Sequence, residues 1–489
     1  MVPGFLGLAL VLAVLALSSC TLDPLYHRPG LPVAAGYPSG PGYTSAVKPE
    51  INASDDGPHA TDLGWRDFFR DPRLARLVEL ALANNRDLRI AIQNVEVTRA
   101  QYGIARAALY PTFAANGALA RGRGSLTLFE PGKTLNTSYE SYLSVSWELD
   151  FFGKVRSLKR AALEEYLASA SARQSAEILL VAEVANQYLT VIAADESLKV
   201  THASLEIARE SYRLTKLQFD TGTGSELDLR EAEGSLEQAR AQLAAEERAR
   251  AQAENALVLL VGAPLPPDLP EGFTLDREDL LRDIPAGLPS DLLSRRPDIV
   301  EAEHQLLATN ASIGAARAAF FPSISLTGAL GTVSPVLHDL FQPGTRAWGV
   351  QPAASLPLFT GGLNTANLES AKAQRDVAVS QYEKAVQTAF REVADGLTAR
   401  ATYEDEVDSL NRLVAAQERR LTLAQLRYKT GVDSYLVLLT AQNDLNTAQL
   451  SRVSADLDRL TNLVTLYQDL GGGWIEHQGD SPRPSDTPP

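Results

Sequence analysis

Few side chains in this 489-residue chain are spaced to do chemistry. The six histidines (His27, His59, His202, His304, His338 and His477) are scattered, with no metal-ligand spacing between them. Thr221-Gly-Thr-Gly-Ser225 is rich in glycine but lacks the Gly-Lys-Ser/Thr ending of a phosphate loop, so it reads as a turn. Ser225-Glu-Leu-Asp228, directly after it, has the form of a helix capping box. No nucleophile stands at a recognisable spacing from a base. The pattern predicts neither an enzyme nor a cofactor or metal, and a net charge of −15 argues against nucleic acid as a partner.

The one reactive thiol is Cys20. Phe5 to Leu17 is short and almost wholly apolar, like the h-region of a signal peptide, although Met1 to Gly4 carries no Lys or Arg. The segment ends in Leu17-Ser18-Ser19-Cys20 and resembles a bacterial lipobox, in which the cysteine becomes the lipidated first residue of the mature chain. An ordinary secretory signal with an incidental cysteine is the alternative. Thr21 rather than Asp follows the cysteine, which by the usual sorting pattern implies passage to the outer membrane. A mature chain with no second cysteine forms no internal disulfide and depends on packing.

The elements around these residues are long. Lys154 to Thr221 and Leu363 to Thr430 contain no proline, and Gly396 is their only glycine. As helices, each spans about 100 Å at ~1.5 Å per residue. Apolar residues at spacings of three and four (Val181, Val184, Tyr188, Ile192, then Leu205, Ala208, Tyr212) predict knobs-into-holes packing between helices. No apolar run after the N-terminus is long enough for a membrane-spanning helix. Aromatics are only 7 % of the chain, which fits modest cores between helices rather than one thick core.

The chain repeats itself. Gly103-Ile-Ala-Arg-Ala-Ala-Leu-Tyr-Pro111 returns as Gly314-Ala-Ala-Arg-Ala-Ala-Phe-Phe-Pro322, and Phe219-Asp-Thr-Gly222 returns as Tyr428-Lys-Thr-Gly431. The offset is about 210 residues, far beyond the period of a solenoid, and implies two large equivalent halves. We read residues 1–19 as a signal peptide, 20–70 as an extended arm, and 71–262 and 294–471 as the two repeats. Residues 263–293 form a linker, and 472–489 a disordered tail.

Between the helices of each half lie strand-like runs. Leu143, Val145, Trp147, Leu149 and Phe151 alternate with Tyr142, Ser144, Ser146, Glu148 and Asp150. Ile324, Leu326, Gly328 and Leu330 alternate likewise, and Trp348, Val350, Ala354, Leu356 and Leu358 share one parity. Pro352 falls inside the fourth run, where a broken or bulged ladder is expected. Thr112 to Phe129 is the least regular run. About ten residues of such alternation suit a membrane-spanning β-strand, or an antiparallel sheet with one buried face. Four strands do not close a membrane barrel, and an open edge in lipid leaves backbone groups unpaired at several kcal/mol each. Several copies must then close one barrel together, with eight, twelve or sixteen strands for two, three or four copies.

At this point the chain resembles the outer membrane factor family, the TolC, OprM and NodT type of efflux duct. The resemblance rests on Arg295-Arg-Pro-Asp-Ile-Val-Glu-Ala-Glu-His-Gln305, on Ala315-Ala-Arg-Ala-Ala-Phe-Phe-Pro-Ser-Ile-Ser325, on Tyr428-Lys-Thr-Gly-Val-Asp-Ser-Tyr-Leu436, and on the duplicated plan. It implies an α+β, mainly α fold: a homotrimer whose long antiparallel helices form an α-barrel tunnel joined to a twelve-stranded transmembrane β-barrel, four strands per protomer. It implies passive export of small molecules such as drugs from an inner-membrane pump of the resistance-nodulation-division class through a periplasmic adaptor. The protein would be lipid-anchored in the cell outer membrane and reach into the periplasm. The alternatives are a duct for ABC-driven protein secretion and a periplasmic helical scaffold lipoprotein.

The family's constriction lies near the turns at Gly222 and Gly431, which are also the expected adaptor contacts. By position, Asp228 matches an acidic residue lining the entrance, Tyr428 an aromatic of the closed-state bonding network, and Leu436 an apolar ring. Thr440 stands where relatives carry Asp, so Glu231 or Asp433 would supply a second charge. Asp228 is equally suited to capping its helix, and Leu436 to ordinary helix packing.

Overall fold

The computed structural model describes residues 21–34, 36–38, 40, 60–122, 136–275 and 296–478. The expected signal peptide, Cys20, Arg295 and parts of the arm, linker and tail lie outside the described residues. The described chain forms two compact units. One draws on Met1–Gly30, Asn94–Ser169 and Glu301–Glu383, the other on Leu31–Gln93, Ala170–Val300 and Lys384–Pro489. Each takes segments from both sequence repeats.

The elements run α1 (Trp65–Phe68), α2 (Pro72–Asn84), α3 (Arg86–Ala107), β1 (Thr112–Gly122), β2 (Asn136–Leu149), α4 (Lys154–Asp220) and α5 (Glu226–Val261). They continue with α6 (Pro297–Ala318), β3 (Ser323–Ser334), β4 (Arg346–Ser355), α7 (Leu363–Lys429) and α8 (Tyr435–Asp469). The two proline-free stretches are single helices of 67 residues each. An uninterrupted run of good helix formers leaves the backbone no reason to stop until a glycine supplies the left-handed residue that ends a helix.

The sequence predicts one helix from Asp71 to about Leu109, but the structure divides it at Asn85. Asp71 caps α2, accepting from the N–H groups of Arg73 and Leu74, with Pro72 at the first position. Asn85 takes an extended conformation and accepts from Leu88 N–H at 2.9 Å, starting α3 afresh. Its amide also donates to the Leu260 carbonyl at 2.8 Å. A capping asparagine with a tertiary partner thus outweighs a helical apolar period.

The four strands form one antiparallel sheet in chain order. Each register is unbroken, from Thr112↔Ser146 to Gly122↔Asn136, from Leu149↔Ile324 to Tyr139↔Ser334, and from Ser323↔Ser355 to Thr332↔Arg346. The expected break at Pro352 is absent: Pro352 pairs with Leu326 in step. It sits on an edge strand, where alternate N–H groups point off the sheet and one can be missing. The pairings put Phe113, Leu143, Val145, Trp147, Leu330, Trp348 and Val350 on one face, and Asn116, Ser144, Ser146, Thr327 and Gln351 on the other. Nothing among the described residues covers the apolar face: Phe113 and Trp348 are 76 % and 78 % exposed. The hairpin turns lie at the strand ends opposite those that join the helices.

In the second unit, Phe68 stacks on Tyr467 at 4.2 Å, and the Tyr467 hydroxyl donates to the Leu63 carbonyl at 2.6 Å. Two expectations need correction here. The end of the supposedly extended arm is helical, with Trp65 and Phe68 buried. The start of the supposedly disordered tail is docked, with Ile475 buried and its carbonyl accepting from Trp65 N–H at 2.9 Å. Gly396 lies inside α7, where a Cβ would stand 3.1 Å from Leu466 Cδ1 of α8, so a glycine lets the two helices approach closely.

One 18-residue window of α4 has a mean hydropathy of 1.3 and would pass for a membrane span by length and composition, contrary to the sequence reading. That window is 61 % buried. Ile178, Val181, Val184 and Leu189 are core residues of the second unit, so the apolarity belongs to packing.

Candidate functional site

The candidate residues gather where α4 turns into α5 and α7 turns into α8, all within the second unit. Both turns are built alike. Gly222 and Gly431 have φ of 73° and 74°, the left-handed region that a side chain rarely enters. Gly222 N–H donates to Phe219 O and Thr223 N–H to Gln218 O; Gly431 N–H donates to Tyr428 O and Val432 N–H to Arg427 O. The last carbonyls of each long helix are thereby satisfied. Neither glycine has anything within 4 Å of where a Cβ would stand, so both turns present open backbone.

The side chains of the two turns differ. Arg427 closes the second turn with Nε and Nη2 on the two Asp433 oxygens at 2.6 and 2.8 Å. Those bonds hold the Asp433 carboxyl below the usual aspartate range and raise the guanidinium. Asp433, expected as a spare charge, is therefore the anionic half of a local ion pair. At the first turn the matching positions are Gln218 and Gly224, with no such pair.

Tyr428 joins the two repeats. Its hydroxyl donates to Gln218 Oε1 at 2.8 Å and lies 3.5 Å from Thr215 Oγ1. Its ring meets Tyr435 edge-on at 5.7 Å. One layer deeper, Gln442 Nε2 donates to Ser211 Oγ at 2.8 Å in a buried contact. Tyr435, Leu438, Ala441 and Leu445 of α8 pack with Val414, Leu421 and Ala424 of α7 and Ala232 of α5. This network rests on Gln218, Arg427 and Gln442, which the sequence reading did not select. The repeat alignment held a signal for the first two, because they occupy the same place before the two turns.

Asp228 and Glu231 lie one turn apart on α5, both half-buried. The capping box is only half made: Ser225 Oγ accepts from Leu227 N–H at 3.1 Å, and no hydrogen bond or ion pair engages Asp228 or Glu231 among the described residues. Both carboxylates act on Tyr435, whose hydroxyl is pushed up to about 12 by burial first and then by the charges of Tyr428, Glu231 and Asp228. The second repeat has Val437 and Thr440 in their places, so the acidic pair belongs to the first repeat alone. Thr440 Oγ1 turns back onto the Leu436 carbonyl at 2.8 Å. Leu436 is 57 % exposed, so it is not an internal packing residue of this chain.

At the other end of the chain, the segment just after Cys20 is fastened to the first unit. Arg317 of α6 donates to the Leu22 carbonyl at 3.0 Å, Asn310 to the Pro24 carbonyl at 2.9 Å, and Arg160 pairs with Asp23 at 2.6 Å. Tyr26 and Arg28 both bond Glu303.

Comparison with known proteins accords with this geometry. The sequence profile of the family described as outer membrane efflux protein matches residues 77–263 and 288–472, that is, both repeats. The toluene efflux pump outer membrane protein TtgC of Pseudomonas putida is 44 % identical over 476 residues, covering 97 % of each chain. The outer membrane protein OprJ of Pseudomonas aeruginosa is 42 % identical, also over 97 % of each. The open state of the Neisseria gonorrhoeae MtrE outer membrane channel matches with a TM-score of 0.82 and 40 % identity, over 94 % of this chain and 100 % of that one. With two full-length repeats, a four-stranded sheet and relatives of this closeness, the chain belongs to the outer membrane efflux protein family.

Proposed function

We propose that this chain is the outer-membrane exit duct of a tripartite efflux system. Three copies close a twelve-stranded barrel in the outer membrane, and their long helices form the periplasmic tunnel. The observation that carries this reading is a sheet whose apolar face and two edges nothing among the described residues covers, since lipid covers the face and only further strands satisfy the edges. The similarity to TtgC, a toluene efflux protein by name, favours small-molecule cargo over secreted protein. The inner-membrane partner is a pump of the resistance-nodulation-division class, joined through a periplasmic adaptor at the open turns around Gly222 and Gly431.

Cys20 carries the lipid anchor. The ties from Arg317 and Asn310 to Leu22 and Pro24 support this, because they hold the following residues beside α6, which leads directly into β3. Residues 71–262 and 294–471 are the two duct repeats, and 263–293 joins them.

The entrance is the level of Asp228, Glu231 and Leu436. Unpaired carboxylates converging from three copies attract cations and repel one another. The Asp228→Asn, Glu231→Gln double variant is expected to lower the cation preference of the purified protein in planar bilayers, moving the reversal potential in a salt gradient toward zero. Arg427→Gln, which frees Asp433, is expected to move it the other way. An unchanged reversal potential in both would remove the entrance role, and a preparation that never conducts would remove the duct itself.

A further inference from the structure

We propose that neighbouring copies join β4 to β1 in one particular register, with Val350 opposite the neighbouring copy's Arg121. The inference rests on the reading of the duct as an assembly of copies and names the seam that closes it.

The two hairpins are superposable in their pairing. Thr112 faces Ser146 as Ser323 faces Ser355, and Gly117 faces Ser141 as Gly328 faces Val350. Arg121 faces Thr137 as Thr332 faces Arg346. Every β1 position thus has a counterpart on β3, and Thr137 to Ser146 of β2 have theirs on β4. Within one chain the hairpins meet along β2 and β3, where Ser141 faces Thr332. If like hairpins follow one another around a pore, the seam between copies repeats the seam within a copy. The counterpart of Ser141 is Val350, and that of Thr332 is Arg121. Stepping along the strands then sets Gln351 against Ala120, Pro352 against Leu119 and Ala354 against Gly117.

Two features accord with this register. First, it keeps the faces in phase: Val350 and Arg121 both lie on the face of Phe113, Leu143 and Trp348. A slip of one residue would turn one strand's apolar side inward, so the nearest competitors are slips of two. Second, Arg121 is exposed and makes no hydrogen bond or ion pair among the described residues, while Trp348 is 78 % exposed two places from Val350. Diagonal neighbours across a ladder are within reach of long and aromatic side chains, and a guanidinium over an indole face is attractive. The seam gives each of these residues a partner that it lacks among the described residues.

Cysteine pairing in membranes tests the register, with Cys20 the only native cysteine. Residues directly opposite in a ladder have Cα atoms about 4.5–5.5 Å apart, within disulfide range, and a two-residue slip takes them to about 7–8 Å, beyond it. The pairs Val350→Cys with Arg121→Cys and Gln351→Cys with Ala120→Cys sample both kinds of ladder position. Oxidation of either is expected to give covalent oligomers that survive boiling in detergent without reductant. The slipped pairs Val350→Cys with Leu119→Cys and Pro352→Cys with Arg121→Cys are expected to stay monomeric after boiling. Preferential crosslinking of a slipped pair overturns the register. So does the failure of both in-register pairs in a protein that still runs as an oligomer unboiled. If the wild-type protein is a lone subunit in mild detergent, the assembly reading fails and the seam falls with it.

Discussion

Asp71→Ala is expected to cost the fold about 4 kcal/mol or more, the largest effect of any single polar substitution considered, although Asp71 is remote from the turns. Its carboxylate is fully buried and takes four donors. One oxygen accepts from Arg73 N–H at 2.7 Å and Leu74 N–H at 3.3 Å, capping α2. The other accepts from the Tyr188 hydroxyl of α4 at 2.7 Å and from Phe273 N–H at 2.8 Å. A lost helix cap costs about 1 kcal/mol, and each buried donor left without a partner about 1–3 kcal/mol. Asp71→Asn keeps an oxygen for the cap but turns an amide N–H₂ toward Tyr188 and Phe273, and it should fall between Ala and wild type. Thermal melting in detergent, followed by circular dichroism, gives the measurement. A loss below about 1 kcal/mol for the alanine variant would mean that water replaces the carboxylate, against its burial.

The second large effect is a dependence of stability on pH centred on Asp469. Arg296 is 8 % exposed and binds Asp298 Oδ1 and Oδ2 at 3.0 and 2.7 Å, Glu392 Oε2 at 2.8 Å and the main-chain carbonyl of Asp469 at 2.9 Å. Burial opposes its charge, but Asp298 and Glu392 outweigh that and hold the guanidinium protonated. Asp469 receives the guanidinium at its backbone. Burial first, and then the charges of Glu392 and Asp298 against the pull of Arg296, push its carboxyl from 3.8 up to about 7.

The folded state therefore keeps a proton that the unfolded state releases. That stabilisation is complete below about pH 4 and is lost as pH rises through 7, by up to about 4 kcal/mol over the whole window. Melting temperature is expected to fall between pH 5.5 and 8. Asp469→Asn should flatten this dependence and melt higher than wild type at pH 8. Arg296→Met should melt lower at both values, because removing one partner of a buried ionic cluster leaves the others uncompensated at about 3–5 kcal/mol. A wild-type melting temperature that rises with pH over this range would contradict the arrangement.

Both clusters lie where sequence reading is weakest. Asp71-Pro72 was legible as a helix start because the capping rule is local. That the same carboxylate also holds Tyr188 and Phe273 was not, since those residues are brought to it only by folding. Arg296-Pro297-Asp298 stood out as a motif, yet its partners Glu392 and Asp469 come from two other helices. At the turns, Gly222 and Gly431 could be placed from sequence because a left-handed helix end calls for glycine. The ion pair that occupies Asp433, and the freedom of Asp228, required coordinates.

The periodic content was readable from the residues alone: two equal rods, strand runs of period two that are least regular over Thr112 to Phe129, and the turns between them. Those features follow from local rules, in which proline and glycine punctuate, a period of two makes a strand face, and spacings of three and four make a helix face. Folding set where a period was overruled and which polar groups found partners. Asn85 divided a helix because Leu260 lay within reach, and Pro352 kept step with Leu326 because the ladder to β3 runs unbroken on both sides of it. Asp433 was neutralised by Arg427, while Asp228 has no hydrogen bond or ion pair among the described residues. Such outcomes depend on distances between residues far apart in the chain or across a turn, and a hydrogen bond or ion pair forms only when folding sets those distances.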